Sequence, residues 1–290
     1  LFAGHADRLV QNKYKPNEIF AIVQNGGIYK STDYGETWTT VVNDLDRLWK
    51  SEYAEELSFE VTGRGDYYVS SNREFWVSRD EGKTWKKDSF ISTKQAANYN
   101  RVIAHIDSTL ILDRRIDQPF YLTSHDLGDT WDTVRTPKFS TGSSWDRMLV
   151  DPVDSKIVFL GGGVGELLQT TDGGSTWIKR TFPIRHNNFL RLDRTQSKGQ
   201  YSYLLWIATT HVSGGFKCDL YESNDSGATW HQKINEASIL RINLDWSRNP
   251  AVYYHENTMV FCNWNAVYRS IDAGATWEMI PGPGVWDMIS

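Results

Sequence analysis

Ser31-Thr32-Asp33-Tyr34-Gly35-Glu36-Thr37-Trp38 encodes a reverse turn and the first residues of a strand within eight positions. An Asp at the head of a turn accepts hydrogen bonds from backbone N–H groups just ahead of it, and a Gly two places on takes positive φ without a Cβ clash. Thr and Trp then open the return strand, where both are favoured, and the indole is large enough to cover the turn. The octet therefore reads as a β-hairpin. It recurs at Ser78, Asp80, Gly82, Thr84 and Trp85, and again at Ser124, Asp126, Gly128, Thr130 and Trp131. Further copies stand at Thr170, Asp172, Gly174, Thr176 and Trp177, at Ser223, Asp225, Gly227, Thr229 and Trp230, and at Ser270, Asp272, Gly274, Thr276 and Trp277. Successive tryptophans lie 47, 46, 46, 53 and 47 residues apart. Fixed places at near-constant spacing are the signature of a repeat architecture.

Each octet is preceded by further short strands. In the fourth unit Met148-Leu-Val150 leads through the turn Asp151-Pro-Val-Asp to Ile157-Val-Phe-Leu160, then Gly161-Gly-Gly163, then Glu166-Leu-Leu-Gln169. Four short strands per repeat, with turn residues between them, make a propeller blade. The expected fold is all-β: a six-bladed β-propeller of four-stranded antiparallel blades, with the octet in each third-to-fourth-strand turn, as one domain over residues 1–290. Inner-strand candidates number seven, because Trp286-Asp-Met-Ile-Ser290 imitates Trp145-Asp-Arg-Met-Leu149 while Ala6-Asp-Arg-Leu-Val10 already serves the first unit. Either the last segment doubles an edge and closes the ring, which is the preferred reading, or the chain is part of a longer protein. A start at Leu1 without Met fits the second.

The pattern S/T-x-D-x-G-x-T-W resembles the Asp-box, or BNR, repeat of sialidases, xyloglucan-degrading glycosidases, sortilin-type receptors and photosystem II assembly factors. The resemblance covers nearly the whole chain and implies the propeller fold. It does not carry one chemistry, since those families share the box and not the reaction. It also implies that Asp33, Asp80, Asp126, Asp172, Asp225 and Asp272 are structural, on the face away from the ligand. The setting it suggests is extracytoplasmic or secreted.

Composition excludes several alternatives. The 290 residues are 40% hydrophobic and 23% charged, which is a globular balance and not a disordered one. A net charge of −5 without a basic block offers no nucleic-acid surface. The longest apolar run, Tyr203 to Ala208, is too short to span a bilayer. Two Cys beside 13 Trp and 14 Tyr rule out a disulfide scaffold. Cys218 and Cys262, in neighbouring units, read as reduced, buried thiols.

Ligand candidates follow from aligning the inner strands. Arg8, Arg101, Arg147 and Arg241 each open one, four residues before Asn12, His105, Asp151 and Asp245. Guanidinium groups around one channel mouth would focus a positive potential and grip a carboxylate or sulfate bidentately. Asp7, Asp146 and Asp287, each adjacent to such a position, offer the competing reading of internal ion pairs. Trp49, Trp145, Trp264 and Trp286 fall in connections of the same face, outside the box pattern. They suit a sugar face or a protein partner, or else fill gaps between blades. Asn43 to Tyr53 carries apolar residues at helical spacing after an Asn cap and is expected to hold a short helix. Arg73-Glu74, Arg114-Arg115, His211 and Lys217 read as solvated loop charges.

Catalysis has weaker support. Resemblance to sialidases implies an arginine triad, a Tyr–Glu pair and an Asp, but the Arg-Ile-Pro motif expected before the first box is absent. A general glycosidase needs two carboxyls about 5–5.5 Å or about 6.5–9.5 Å apart. Asp7, Asp146, Asp287 and Glu166 are the candidates. No metal ligand set, phosphate loop or Gly-x-Ser-x-Gly elbow is present, and no cofactor is expected. Asn224-Asp-Ser226 is formally a glycosylation sequon inside a box. The sequence thus points to a propeller that binds a glycan or an acidic or polypeptide ligand. A sialidase-like or other glycoside hydrolase is the first alternative, and an architectural repeat the second.

Overall fold

The computed structural model describes residues 6–23, 27–42, 58–70, 75–88, 100–104, 108–114, 120–139, 147–162, 165–183, 187–197, 200–210, 216–234, 251–255, 258–262, 267–272 and 276–280. Two compact units divide the chain, one built on Leu1–Val134 and the other on Arg135–Trp286. The first carries sheet 1, of β1 (Ala6–Gln11), β2 (Ile19–Val23), β3 (Gly27–Ser31) and β4 (Thr39–Val42). Sheet 2 follows with β5 (Ser58–Val61), β6 (Tyr67–Ser70), β7 (Phe75–Ser78) and β8 (Lys86–Lys87), and sheet 3 with β9 (Asn100–Ala104), β10 (Leu110–Arg114), β11 (Phe120–Ser124) and β12 (Asp132–Arg135).

The second unit has sheet 4, of β13 (Arg147–Val150), β14 (Val158–Gly162), β15 (Glu166–Thr170) and β16 (Ile178–Thr181). Sheet 5 contains β17 (Asn187–Ser197), β18 (Gln200–Thr210), β19 (Phe216–Ser223) and β20 (His231–Ile234). Sheet 6 contains β21 (Ala251–His255), β22 (Thr258–Cys262), β23 (Val267–Ser270) and β24 (Glu278–Ile280). Every sheet is antiparallel with its strands in sequence order. These are the blades of a six-bladed β-propeller, as the repeat requires. The one long interval between box tryptophans, 53 residues, contains the eleven-residue strands β17 and β18.

The box turns are built from their own side chains. In the first, Ser31 Oγ donates to Asp33 Oδ1 at 2.7 Å and accepts from the Gly35 N–H at 2.8 Å. Asp33 Oδ1 accepts from the Thr37 N–H at 2.9 Å, and Oδ2 accepts from the Thr37 hydroxyl. Trp38 closes the turn by donating its indole N–H to the Gly35 carbonyl at 2.9 Å. The Thr N–H to Asp bond recurs at 2.8 Å, 2.9 Å, 2.9 Å, 2.8 Å and 2.8 Å in the following five boxes. The sequence signalled the Asp, Gly and Trp roles; the hydroxyl at the first place, which ties the carboxylate to the Gly amide, is an addition.

The place between Asp and Gly has a conformation that its residue types hide. Tyr34, Glu81, Leu127 and Ser226 have φ of 59°, 58°, 59° and 60°, and the fourth box has Gly173 there at 73°. A left-handed non-glycine residue is strained.

Cores lie between sheets 1 and 2, between sheets 2 and 3, and between sheets 4 and 5. Because successive strand residues face opposite sides, Tyr67 and Val69 pack with Phe20, Ile22, Ile28 and Phe59 of the sheet 1–sheet 2 cluster. Tyr68 packs the other way, with Leu110, Leu112 and Leu122 of sheet 3. All four residues of β6 are buried as a result. In the second unit Phe159, Leu167, Tyr203, Leu205, Tyr221 and Trp230 form the corresponding cluster between sheets 4 and 5. Each such side chain contributes about 1.5–3 kcal/mol by leaving water.

The boxes join those interfaces. A Cβ on Gly227 would stand 2.6 Å from the Phe159 ring of the preceding sheet, whereas one on Gly173 would meet nothing closer than 4.0 Å. Both glycines have left-handed φ. Gly227→Ala is therefore expected to cost about 2–4 kcal/mol, conformational strain plus overpacking, against about 1 kcal/mol for Gly173→Ala. Denaturant unfolding of the two variants checks the order.

Acid provides a second test. Hydrogen bonds, first from the box Thr hydroxyl and then from its N–H, hold Asp33, Asp80, Asp126, Asp172, Asp225 and Asp272 at about 2, below the ordinary 3.8. A carboxyl depressed in the folded state stabilises fully above its unfolded value and loses that contribution as pH falls through its folded value. The thermal midpoint is expected to drop steeply between about pH 4 and pH 2, and Asp225→Asn should flatten the slope.

Candidate functional site

Each sheet has two ends. At one, the first strand begins and the second meets the third: Ala6 pairs with Val23, and Val23 with Gly27. At the other lie the turn between the first two strands and the box, joined by backbone bonds such as Tyr34 N–H to Asn17 carbonyl at 3.1 Å and Gly173 N–H to Lys156 carbonyl at 3.0 Å. Three of the arginine candidates, Arg8, Arg101 and Arg147, sit on strands at the first end. Arg8 is the third residue of β1, Arg101 the second of β9 and Arg147 the first of β13. Their ladder partners are Ile22, Asp113 and Gly161. β1 thus starts two residues before Arg8, with a register irregularity between Ala6 and Arg8.

The side chains of Arg8, Arg101, Arg147 and Asp7 lie outside the described residues, as do Arg241, Asp146, Asp287, Trp49, Trp145, Trp264 and Trp286 entirely. The helix expected over residues 43–53 also falls outside them. Cys218 and Cys262 are placed on β19 and β22 of sheets 5 and 6.

Glu166 is described, and it is engaged. It opens β15 at the same end of sheet 4, only 8% exposed, and its Oε1 lies 2.5 Å from the Lys179 ammonium on β16. The pair ties the third strand of sheet 4 to the fourth.

The spacing that singled out the arginines also found a turn device. Four residues after Arg8, Asn12 Oδ1 accepts from the N–H groups of Tyr14 and Lys15 at 2.9 Å and 3.3 Å. Four after Arg147, Asp151 Oδ1 accepts from Val153 and Asp154 at 2.7 Å and 3.0 Å. These are Asx turns, and they fix where the first strand stops.

Around these turns lie buried polar clusters that sequence reasoning missed. Asp151, fully buried, accepts from the Arg194 guanidinium at 3.2 Å and from the Tyr203 hydroxyl of sheet 5. Burial first, and then the bond to Asp151, push the Tyr203 phenol far up. In the first unit Arg79 reaches Asp66 at 2.9 Å and the Tyr68 hydroxyl at 2.5 Å. Burial raises the Tyr68 phenol as well. Lys30 lies 3.2 Å from Glu18 and donates to the Tyr67 hydroxyl at 3.2 Å. Burial alone would raise the Glu18 carboxyl, but bonds from Asn12 and Lys30 bring it below the ordinary carboxylate range. Each of these charges has a charged partner, within the sheet for Lys30 and Arg79 and across the interface for Asp151, and Lys30 and Asp151 each also bond a tyrosine of the next sheet. Among the described residues no group of three or more His, Cys, Asp or Glu is placed to hold a metal ion, and no helix is long and apolar enough to cross a membrane.

Comparison with known proteins agrees with this architecture. The family model for the BNR/Asp-box repeat matches residues 76–87, the second box. A xyloglucanase from Paenibacillus sp is 30% identical over 168 residues, covering 56% of this chain and 13% of that protein. The photosystem II assembly lipoprotein Ycf48 of Trichormus variabilis is 27% identical over 165 residues, covering 53% of this chain and 42% of that one. The chain thus spans less than half the length of either relative. A solved structure described as YCF48 bound to D1 peptide superposes with a TM-score of 0.63 at 12% identity, covering 96% of this chain and 81% of that one. The model described as Sortilin, neurotensin receptor 3 matches residues 119–266, just over half of the chain, from the third sheet into the sixth. With its box repeat and six-sheet architecture, the chain belongs to the Sortilin-Vps10 family.

Proposed function

We propose that this chain is a non-catalytic binding propeller whose ligand is a polypeptide segment bearing carboxylates. The observation that carries the reading is the recurrence of arginine within the first three residues of β1, β9 and β13. Arg241 extends the series by sequence. In this reading Arg8, Arg101, Arg147 and Arg241 grip carboxylates through paired N–H donors. Trp49, Trp145, Trp264 and Trp286 supply flat apolar surface beside them. A peptide-bound propeller that matches 96% of this chain supports a polypeptide ligand. The ion pair between Glu166 and Lys179 speaks against that carboxyl as a hydrolytic acid. The Trichormus relative, named a lipoprotein, supports an extracytoplasmic setting.

The second reading, a glycoside hydrolase with Asp146, Asp7 or Glu166 as its acids, draws on the 30% identity to a xyloglucanase. One experiment separates the two. A fluorescent Asp/Glu-rich peptide is titrated by anisotropy, and xyloglucan and aryl glycosides are assayed for release. The expected result is peptide binding that weakens with salt and falls at least about tenfold in Arg147→Ala, the loss of one charge-assisted contact. No sugar or aryl group is released. Turnover abolished by Asp146→Ala or Glu166→Ala, without peptide binding, would overturn the proposal.

A further inference from the structure

A buried carbonyl at the left-handed place of a box needs a hydrogen-bond donor. In the third box that carbonyl belongs to Leu127, which is 5% exposed. Two donors reach it, both from the preceding sheet: Arg79 Nη2 at 2.6 Å and the Tyr68 hydroxyl at 2.7 Å. The same guanidinium anchors itself on its own sheet through Asp66 and continues to Asp129 of the third box at 3.0 Å. In the fifth box the equivalent carbonyl, that of Ser226, accepts from the Gln169 amide of the preceding sheet at 2.6 Å. Gln169 is in turn oriented by Arg180 Nε at 3.1 Å.

Arg79 follows the box Ser of β7 by one residue, and Gln169 precedes the box Thr of β15 by one. Different residue types at different places therefore deliver a donor to the same backbone atom of the next box. Convergence of this kind indicates that capping that carbonyl is itself the requirement. The contact surface agrees: the box glycines of sheets 3 and 5 lie against Tyr68 and Phe159, each from the sheet before.

We infer that Arg79 and Gln169 act as latches, each holding the turn of the following blade's box in its strained left-handed form. The coupling has a direction. A box depends on the blade before it in the chain, and the latch residue's own box does not depend on the latch. Loosening then passes forward along the chain from sheet 2 to sheet 3 and from sheet 4 to sheet 5. This inference does not rest on the proposed ligand.

Amide hydrogen exchange on the whole chain reads it directly. In Arg79→Met the N–H groups of Gly128 and Thr130, bound to Ser124 Oγ and Asp126 Oδ1, are expected to exchange about tenfold faster, as for loss of a charged donor to a buried carbonyl. Those of Gly82 and Thr84, in the box beside the substitution, should stay within about twofold. Gln169→Leu provides an independent trial in the other unit, should Arg79→Met fail to fold. Gly227 and Thr229 should speed up, while Gly174 and Thr176 hold. Unchanged rates in the following box, or equal loosening of the box beside the substitution, would overturn the inference.

Discussion

The structure depends on one carboxylate used in the same way six times. Each box Asp accepts from a Thr N–H, a Thr hydroxyl and a Ser or Thr hydroxyl, all within eight residues of chain. Charge-assisted bonds of this kind are stronger than neutral ones, and they are local, so the loop they close carries little entropic cost. That combination stabilises a turn whose middle residue is strained at four boxes by a side chain in the left-handed region. Without the carboxylate the turn would lose the charged acceptor that ties its first place to the start of the return strand.

The turn also has to be wedged against a neighbour. A propeller blade buries both faces, so each sheet needs apolar side chains on alternate residues pointing opposite ways, as Tyr67 and Tyr68 do. Tyrosines at these positions bring a hydroxyl into a dry interface, and buried polar atoms require partners. Lys30, Arg79 and Asp151 are those partners. The buried charges therefore follow from the use of tyrosine as core. They occupy the box end of the sheets, opposite the end where β1, β9 and β13 begin.

What could be read in the sequence was whatever is local or periodic. The box signalled itself because its bonds join residues two to four apart, and the strand order followed from four short runs per repeat. The position four residues beyond Arg8 and Arg147 was visible by spacing, though the Asx turns at Asn12 and Asp151 became apparent only with the backbone in place. The interface clusters were not legible. Arg79 and Leu127 are 48 residues apart, Tyr203 and Asp151 are 52, and Gln169 and Ser226 are 57. Each pair spans about one repeat, and sequence does not say which face of a strand meets which neighbour. Glu166, read as a candidate acid, meets Lys179 at 2.5 Å because both stand at one end of sheet 4, thirteen residues apart on neighbouring strands.

Carbon-13 carboxyl shifts followed through an acid titration address the central point most directly. If the box hydrogen bonds govern the fold, the carboxyls of Asp33, Asp80, Asp126, Asp172, Asp225 and Asp272 titrate together near 2. Titration of these six at the ordinary 3.8, in a chain that remains folded, would contradict the account.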